Sequence, residues 1–308
     1  MGPHGDSSGN ISRGREGRVN RYGLITAAFN EEAYIERTIR SVISQTVLPG
    51  KWIIVSDGST DGTDEVVRRY VTTSGFIQLL RREKNLRRDF ASKVVALNAG
   101  MQLMEAEKFE FVGNLDADVS FGPNYFHDLL RKFEEDPVLG LAGGSIYEER
   151  GGEFTYRYGN SVRSVAGAVQ MFRRECYQAV GRFLPIEYGG EDWCAEVAAR
   201  MRGWRVESFP ELEVRHHRPT GSEGGLLRSW YRQGLMDYSI GSHPIFEIIK
   251  LVRQLPNRPF FLGALTRFAS FAVANFRRKE RMVSPEFVAF LRKEQTERLL
   301  PFVRSHHN

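Results

Sequence analysis

Two carboxylates one residue apart, Asp116 and Asp118, follow Phe111-Val112-Gly113-Asn114-Leu115, an apolar run that reads as a buried strand. In an open α/β sheet, ligands sit beyond the carboxyl ends of the strands, so both side chains would stand at the mouth of a site. Side chains alternate along a strand with period two, which predicts that the pair aims one way. Such a pair suits a hard divalent cation, Mg²⁺ or Mn²⁺, which keeps substrate phosphate oxygens among its ligands. The ordinary alternative is a turn or helix-capping pair, the commoner meaning of an isolated Asp-x-Asp. This one is not isolated. Asn30-Glu31-Glu32, Asp57, the basic residues Arg87, Arg88 and Lys93, Glu191-Asp192, and His216-His217-Arg218 are further chemistry-bearing groups at element ends.

Periodicity supplies the elements that must position them. Tyr22 to Phe29 reads as a first strand, and Ile35, Ile39, Val42 and Ile43 then keep helical spacing. Trp52 to Val55 is a second strand, closed by Ser56-Asp57-Gly58-Ser59-Thr60-Asp61-Gly62-Thr63. That segment offers turn glycines and N-caps to a helix carrying Val66, Val67 and Tyr70. Phe76 to Leu80 is a third strand, Val94 to Met104 a helix, and Phe109 to Leu115 a fourth strand. Strands alternating with helices predict an α/β fold with a mostly parallel sheet and right-handed crossovers. Glu191 opens a helix in which Trp193, Val197 and Met201 share a face, and Trp204 to Val214 forms a later strand region.

Composition narrows the class. A chain of 308 residues, 41% apolar and 26% charged, is that of a globular protein with one large domain or a domain and an appendage. Cys176 and Cys194 make no disulfide framework and fit a reducing compartment. Residues 1–20, rich in Gly, Ser and Arg, read as a disordered segment without the pattern of a signal peptide. No G-x-G-x-x-G follows the first strand and no G-x-x-x-x-G-K-[ST] occurs, so the dinucleotide and P-loop readings lose their main support. From Leu226 onward fourteen Lys/Arg face six Asp/Glu, a net of +8, so residues 1–225 carry −3 of the total +5. A basic, aromatic and apolar tail fits anionic lipid or phosphorylated ligands better than nucleic acid.

The ordered set of motifs resembles family 2 glycosyltransferases of the GT-A fold. The carrying residues are Ala28-Phe29-Asn30-Glu31-Glu32, Val55 to Thr63, Asp116-Ala117-Asp118, Phe183 through Gly190-Glu191-Asp192, and Val214-Arg215-His216-His217. They span roughly residues 21–220. Ser56 departs from the family, which often has a second Asp there.

The resemblance implies a site. Asn30 and Glu31 would lie near the base and ribose of a nucleoside-diphosphate sugar, and Asp57 on the base edge. Asp118 would be the direct metal ligand, with Asp116 on the ribose or a metal-bound water. Apart from the resemblance, Arg87, Arg88 and Lys93 just after the third strand are basic groups that could meet the diphosphate, and Arg218 could close over the phosphates. Asp192 matches the general base and Glu191 an acceptor-positioning neighbour. One His of the tandem pair would complete the metal's shell, with His217 preferred. Each has an ordinary alternative: caps for Asn30 and Glu31, a turn for Asp57, a solvated face for the cations, helix-dipole chemistry for Glu191 and Asp192.

The expected activity is a metal-dependent, inverting glycosyltransferase using Mn²⁺ or Mg²⁺ and acting on a glycan or glycolipid acceptor hydroxyl in cell-envelope synthesis. A polyprenyl-phosphate sugar transferase would need no base, a pyrophosphorylase would carry a Gly-rich basic loop after the first strand, and a silent nucleotide-binding scaffold would not need Asp118 and Asp192. The expected division is a catalytic domain over residues 21–225, ending in a Gly-rich lid from Arg218, and a helical extension over 226–308. Pro259 to Phe276, with Arg267 inside and Arg277-Arg278-Lys279 behind, is marginal for a span. It reads as an interfacial helix on an anionic membrane surface, or as one packed on the catalytic domain or a partner subunit. The expected location is cytoplasmic, at the inner face of the cell membrane. Base, sugar, acceptor and oligomeric state are left open.

Overall fold

The computed structural model describes residues 21–83, 90–157, 161–218, 225–256 and 260–304. Its first half alternates β1 (Tyr22–Ala28), α1 (Ile35–Ile43), β2 (Lys51–Asp57), α2 (Thr63–Val71), β3 (Ile77–Arg82), α3 (Phe90–Met104) and β4 (Phe111–Asn114). These four strands pair in parallel in the order β3-β2-β1-β4. The chain then adds β5 (Val119–Phe121), α4 (Tyr125–Glu135), β6 (Leu139–Arg150), β7 (Glu153–Tyr156), β8 (Met171–Arg173), α5 (Arg174–Val180), α6 (Glu191–Met201) and β9 (Arg205–His216). The sheet continues from β4 through β8, β6 and β9 to β5. β8 is antiparallel to both its neighbours and β5 antiparallel to β9, while β6 and β9 run parallel and β7 hangs on β6.

The apolar runs are long because the central strands are buried on both faces. Tyr22, Leu24, Trp52 and Ile54 face a core under α1, α2 and α4, while Ile25, Ile53 and Val55 face a second core under α3, α5 and α6. Trp52 brings a polar edge into the first core and satisfies it, donating Nε1–H to Thr26 Oγ1 at 3.0 Å. The strand ends thus open between two rigid helical layers.

Four helices follow: α7 (Leu226–Ser239), α8 (Pro244–Gln254), α9 (Leu262–Phe276) and α10 (Pro285–Arg304). α10 is tied to α6. Val283, Phe287, Val288 and Leu291 bury with Ile186, Cys194 and Val197, and Glu294 takes Arg200 in a two-pronged ion pair. α7 packs on α9 through Leu235, Tyr238, Phe271 and Ala274. Pro259, the expected start of the apolar tail, lies outside the described residues, as do Arg87, Arg88 and 219–224 of the expected lid. Among the described residues no helix is long and apolar enough to cross a membrane.

Candidate active site

The strand before the acidic pair ends earlier than expected, at Asn114. Leu115 and Asp116 still donate backbone N–H groups sideways, to Ile25 O at 2.8 Å and Ala168 O at 2.9 Å, and the chain then turns. The turn is held by Thr38, whose hydroxyl lies 2.8 Å from Ala117 O and 2.7 Å from Val119 O. Here the chain turns instead of continuing as a pleated strand, and the two carboxylates meet different partners. Asp116 is 2.8 Å from Lys93 Nζ on α3. Asp118 Oδ1 lies 3.3 Å from His216 Nε2, and its Oδ2 lies 3.4 Å from Arg218 Nε. Burial alone would push the Asp118 carboxyl up, but His216, Arg218 and Lys93 together hold it below the usual carboxylate range.

The tandem histidines separate. β9 alternates, with Leu212 and Val214 inward, so the next inward residue is His216, paired across from Val119 on β5. His217 Nε2 instead lies 2.8 Å from Ser120 Oγ, and its Nδ1 lies 3.4 Å from Arg37. The side chain facing Asp118 is therefore His216, a departure from the preference for His217. Counting by twos from Val214 would have found it.

The loops after β1 and β2 are stitched together. Asn30, at φ 55, accepts from Thr60 N at 2.9 Å, and Glu31 N donates to Thr63 Oγ1 at 2.8 Å. The Glu31 carboxylate receives Arg218, whose guanidinium also lies 5.1 Å from the centre of the Tyr34 ring. One arginine thus joins Glu31 to Asp118. Asp57, at the end of β2, accepts from Arg82 at 3.1 Å and from Ser92, the neighbour of Lys93.

Glu191 and Asp192 stand on the first turn of α6, after Gly190 in a left-handed conformation. Asp192 is fixed by two amides: Gly167 N donates to Oδ2 at 3.1 Å and Trp193 N to Oδ1 at 2.7 Å. Gly167 is required by closeness, since a Cβ there would come within 2.6 Å of Asp192 Oδ2. Glu191 is buried, and burial with the Asp192 charge pushes its carboxyl up. Desolvation opposes the Lys93 charge, yet Asp116, Glu191 and Asp192 outweigh it and raise the ammonium above its ordinary range. Lys93 is thereby the electrostatic hinge between the Asp118 side and the Asp192 side. Among the described residues no three His, Cys, Asp or Glu side chains converge to hold a metal by themselves. Arg88 lies outside the described residues.

Sequence reading gave no role to Glu196, one turn beyond Asp192. It is almost fully buried and accepts from Val165 N at 2.8 Å and Ser164 Oγ at 3.0 Å. Arg200 stands 3.5 Å away, outside hydrogen-bond reach, so burial and the Asp192 charge push Glu196 up to about 8. A carboxyl raised in the fold binds its proton more tightly there. Its stabilisation is complete below the ordinary value of 4.5 and is lost as pH climbs through about 8. Melting temperature should accordingly fall across that window, and Glu196→Gln should flatten the fall. An unchanged slope in the variant would refute this.

The family model for glycosyl transferase family 2 matches residues 24–189, more than half of the chain. The chain belongs to this family. Among curated relatives, this family 2 glycosyltransferase is 23% identical over 205 residues to the poly-beta-1,6-N-acetyl-D-glucosamine synthase of Staphylococcus aureus, covering 61% of the chain and 47% of the relative. It is 27% identical over 128 residues to the Staphylococcus epidermidis synthase of the same name, covering 42% and 29%. The chain thus matches about half the length of the longer-aligned relative. Among solved structures, the mannosyltransferase PcManGT of Pyrobaculum calidifontis, in complex with GDP-Man and Mn²⁺, superposes with TM-score 0.56 at 18% identity, over 92% of this chain and 81% of that one. Staphylococcus aureus TarS 1-349, in complex with UDP-GlcNAc, gives 0.54 at 16% identity over 83% and 73%. The fold is that of GT-A glycosyltransferases.

Proposed function

We propose that this glycosyltransferase moves a sugar from a nucleoside-diphosphate sugar to a hydroxyl of a cell-envelope glycan or glycolipid, inverting the anomeric carbon. The observation that carries the reading is the pairing of two acidic centres across Lys93, one made of Asp118 with His216 and the other of Asp192 locked by Gly167 and Trp193. The nucleotide sugars bound by PcManGT and TarS, and the Mn²⁺ of the former, support it.

A carboxylate oxygen and an imidazole nitrogen 3.3 Å apart are a donor set that fits Mn²⁺ or Mg²⁺, with diphosphate oxygens as the remaining ligands. Asp118 and His216 would hold the ion, with Asp116 beside them. When bound it neutralises charge on the departing diphosphate. Lys93 and Arg218 add fixed positive charge there, and Asn30, Glu31 and Asp57 offer acceptors to the nucleoside. Asp192 takes the proton of the acceptor hydroxyl. The oxygen so freed attacks the anomeric carbon as its bond to the diphosphate oxygen breaks, and one base opposite the leaving group gives inversion. Residues 21–225 would carry this chemistry, at the cytoplasmic face of the cell membrane.

Thermal stabilisation by a panel of nucleoside diphosphates, with and without Mn²⁺, tests the reading. A rise for one base, larger with Mn²⁺, is expected, and no rise with any nucleotide would overturn it. Gly167→Ala should push Asp192 aside and lower turnover by about 10²-fold, the usual cost of misplacing a reacting group by an ångström. Donor affinity, measured by calorimetry, should stay. Equal loss of both would show that Gly167 supports the fold and not the base.

A further inference from the structure

Helices α7, α8 and α9 share a buried charged cluster beside the apolar contact of α7 with α9. At their centre the buried Asp237 carboxylate of α7 takes Lys250 of α8 at 2.9 Å and Arg267 of α9 at 2.7 Å. Gln233 and buried Glu247 complete the polar interior, at 2.8 Å from Arg267 and Lys250. A second set of apolar side chains looks outward. Ile245, Ile248 and Val252 line one stripe of α8, and Leu262, Leu265, Val273 and Phe276 one stripe of α9, with Phe276 89% exposed. A helix packed in a water-soluble domain turns its apolar stripe to the core. Here α8 and α9, which pack together, each leave an apolar stripe bare, α9 in addition to the one it buries, and a contiguous apolar surface of that kind marks an interface. Arg253, Arg277, Arg278 and Lys279, all exposed, stand at its ends. That charge selects an anionic lipid surface over another protein's apolar face.

The same helices carry the acceptor side of the site. Tyr188 packs on Leu235, Tyr238, Phe271 and Ala274, and Gly190 lies against Met236 so closely that a Cβ would come within 3.0 Å of its sulfur. Glu191 and Asp192 follow directly. We propose that α7–α9 seat on an anionic bilayer and that the acceptor is carried on a lipid, its hydroxyl reaching Asp192 across the Tyr188–Gly190 loop. The second half rests on the reading of Asp192 as the base.

The test is flotation with phosphatidylglycerol–phosphatidylcholine vesicles. The full chain should float at low salt and less at high salt. Arg277, Arg278 and Lys279 changed together to Gln should weaken binding by roughly a hundredfold, since each cation near such a surface contributes about 1 kcal/mol. Ile248→Asp with Val252→Asp should also abolish flotation; both sites are exposed, so the melting temperature should hold. Cys176 and Cys194 are buried, so a fluorophore on Glu187→Cys, beside the loop, can be placed selectively. Vesicles with headgroup-spin-labelled lipid should quench it, and not the same probe at Glu65→Cys on α2. No flotation, with concentration-dependent dimers in sedimentation, would overturn the proposal in favour of a contact between copies. Flotation with equal quenching at both sites, or none at Glu187→Cys, would overturn the lipid-borne acceptor. Calorimetry with nucleoside diphosphate and Mn²⁺ on the same samples reads the transferase assignment separately.

Discussion

Asp192→Asn should leave nucleoside-diphosphate binding unchanged while turnover falls by about 10²–10⁴-fold, the usual worth of a positioned base, if Asp192 is the base proposed above. The amide retains the shape of the side chain, and its oxygen can still accept from Gly167 N or Trp193 N, the two donors that fix Asp192. What it loses is the capacity to take a proton. Stopped transfer assays beside calorimetry of donor binding separate the outcomes. If affinity and turnover collapse together, Asp192 holds the site's shape. Retained turnover would move the base elsewhere, and Glu191 is the first place to look because it shares the same helical turn.

Asp118→Asn should abolish the metal dependence proposed for donor binding. A neutral amide is a poor ligand for a hard cation. The change also strips the counter-charge from His216 and Arg218, which lie 3.3 Å and 3.4 Å from it. Titration of nucleoside diphosphate with and without Mn²⁺ reads this directly. His216→Ala should weaken the same dependence, whereas His217→Ala, whose side chain is engaged with Ser120 and Arg37, should leave it. An Asp118→Asn chain that still binds more tightly with Mn²⁺ would refute the assignment.

Much of the architecture could be read from the chain, because β1, β2 and β4 are buried on both faces and so appear as unbroken apolar runs between periodic helices. The antiparallel β8, only three residues long, left no such mark. Nor did the turn after Asn114, which continues the sheet's hydrogen bonds without its pleat and sends Asp116 and Asp118 to different partners. Gly167 and Glu196 were invisible for another reason. Their importance comes from contacts with α6 across 25 and 31 positions of sequence, which no local spacing reports. His216 was legible, had the alternation of β9 been extended past Val214.

The packing of Val283, Phe287, Val288 and Leu291 against Ile186, Cys194 and Val197 places a late segment of the chain under the helix that bears Asp192. During synthesis, α6 leaves the ribosome with that face bare. Domains fold as units while the chain emerges, at a pace of about 5–20 residues per second. The roughly ninety residues between Cys194 and Val283 therefore set a delay of about 5–20 seconds before the helix bearing Asp192 acquires its backing.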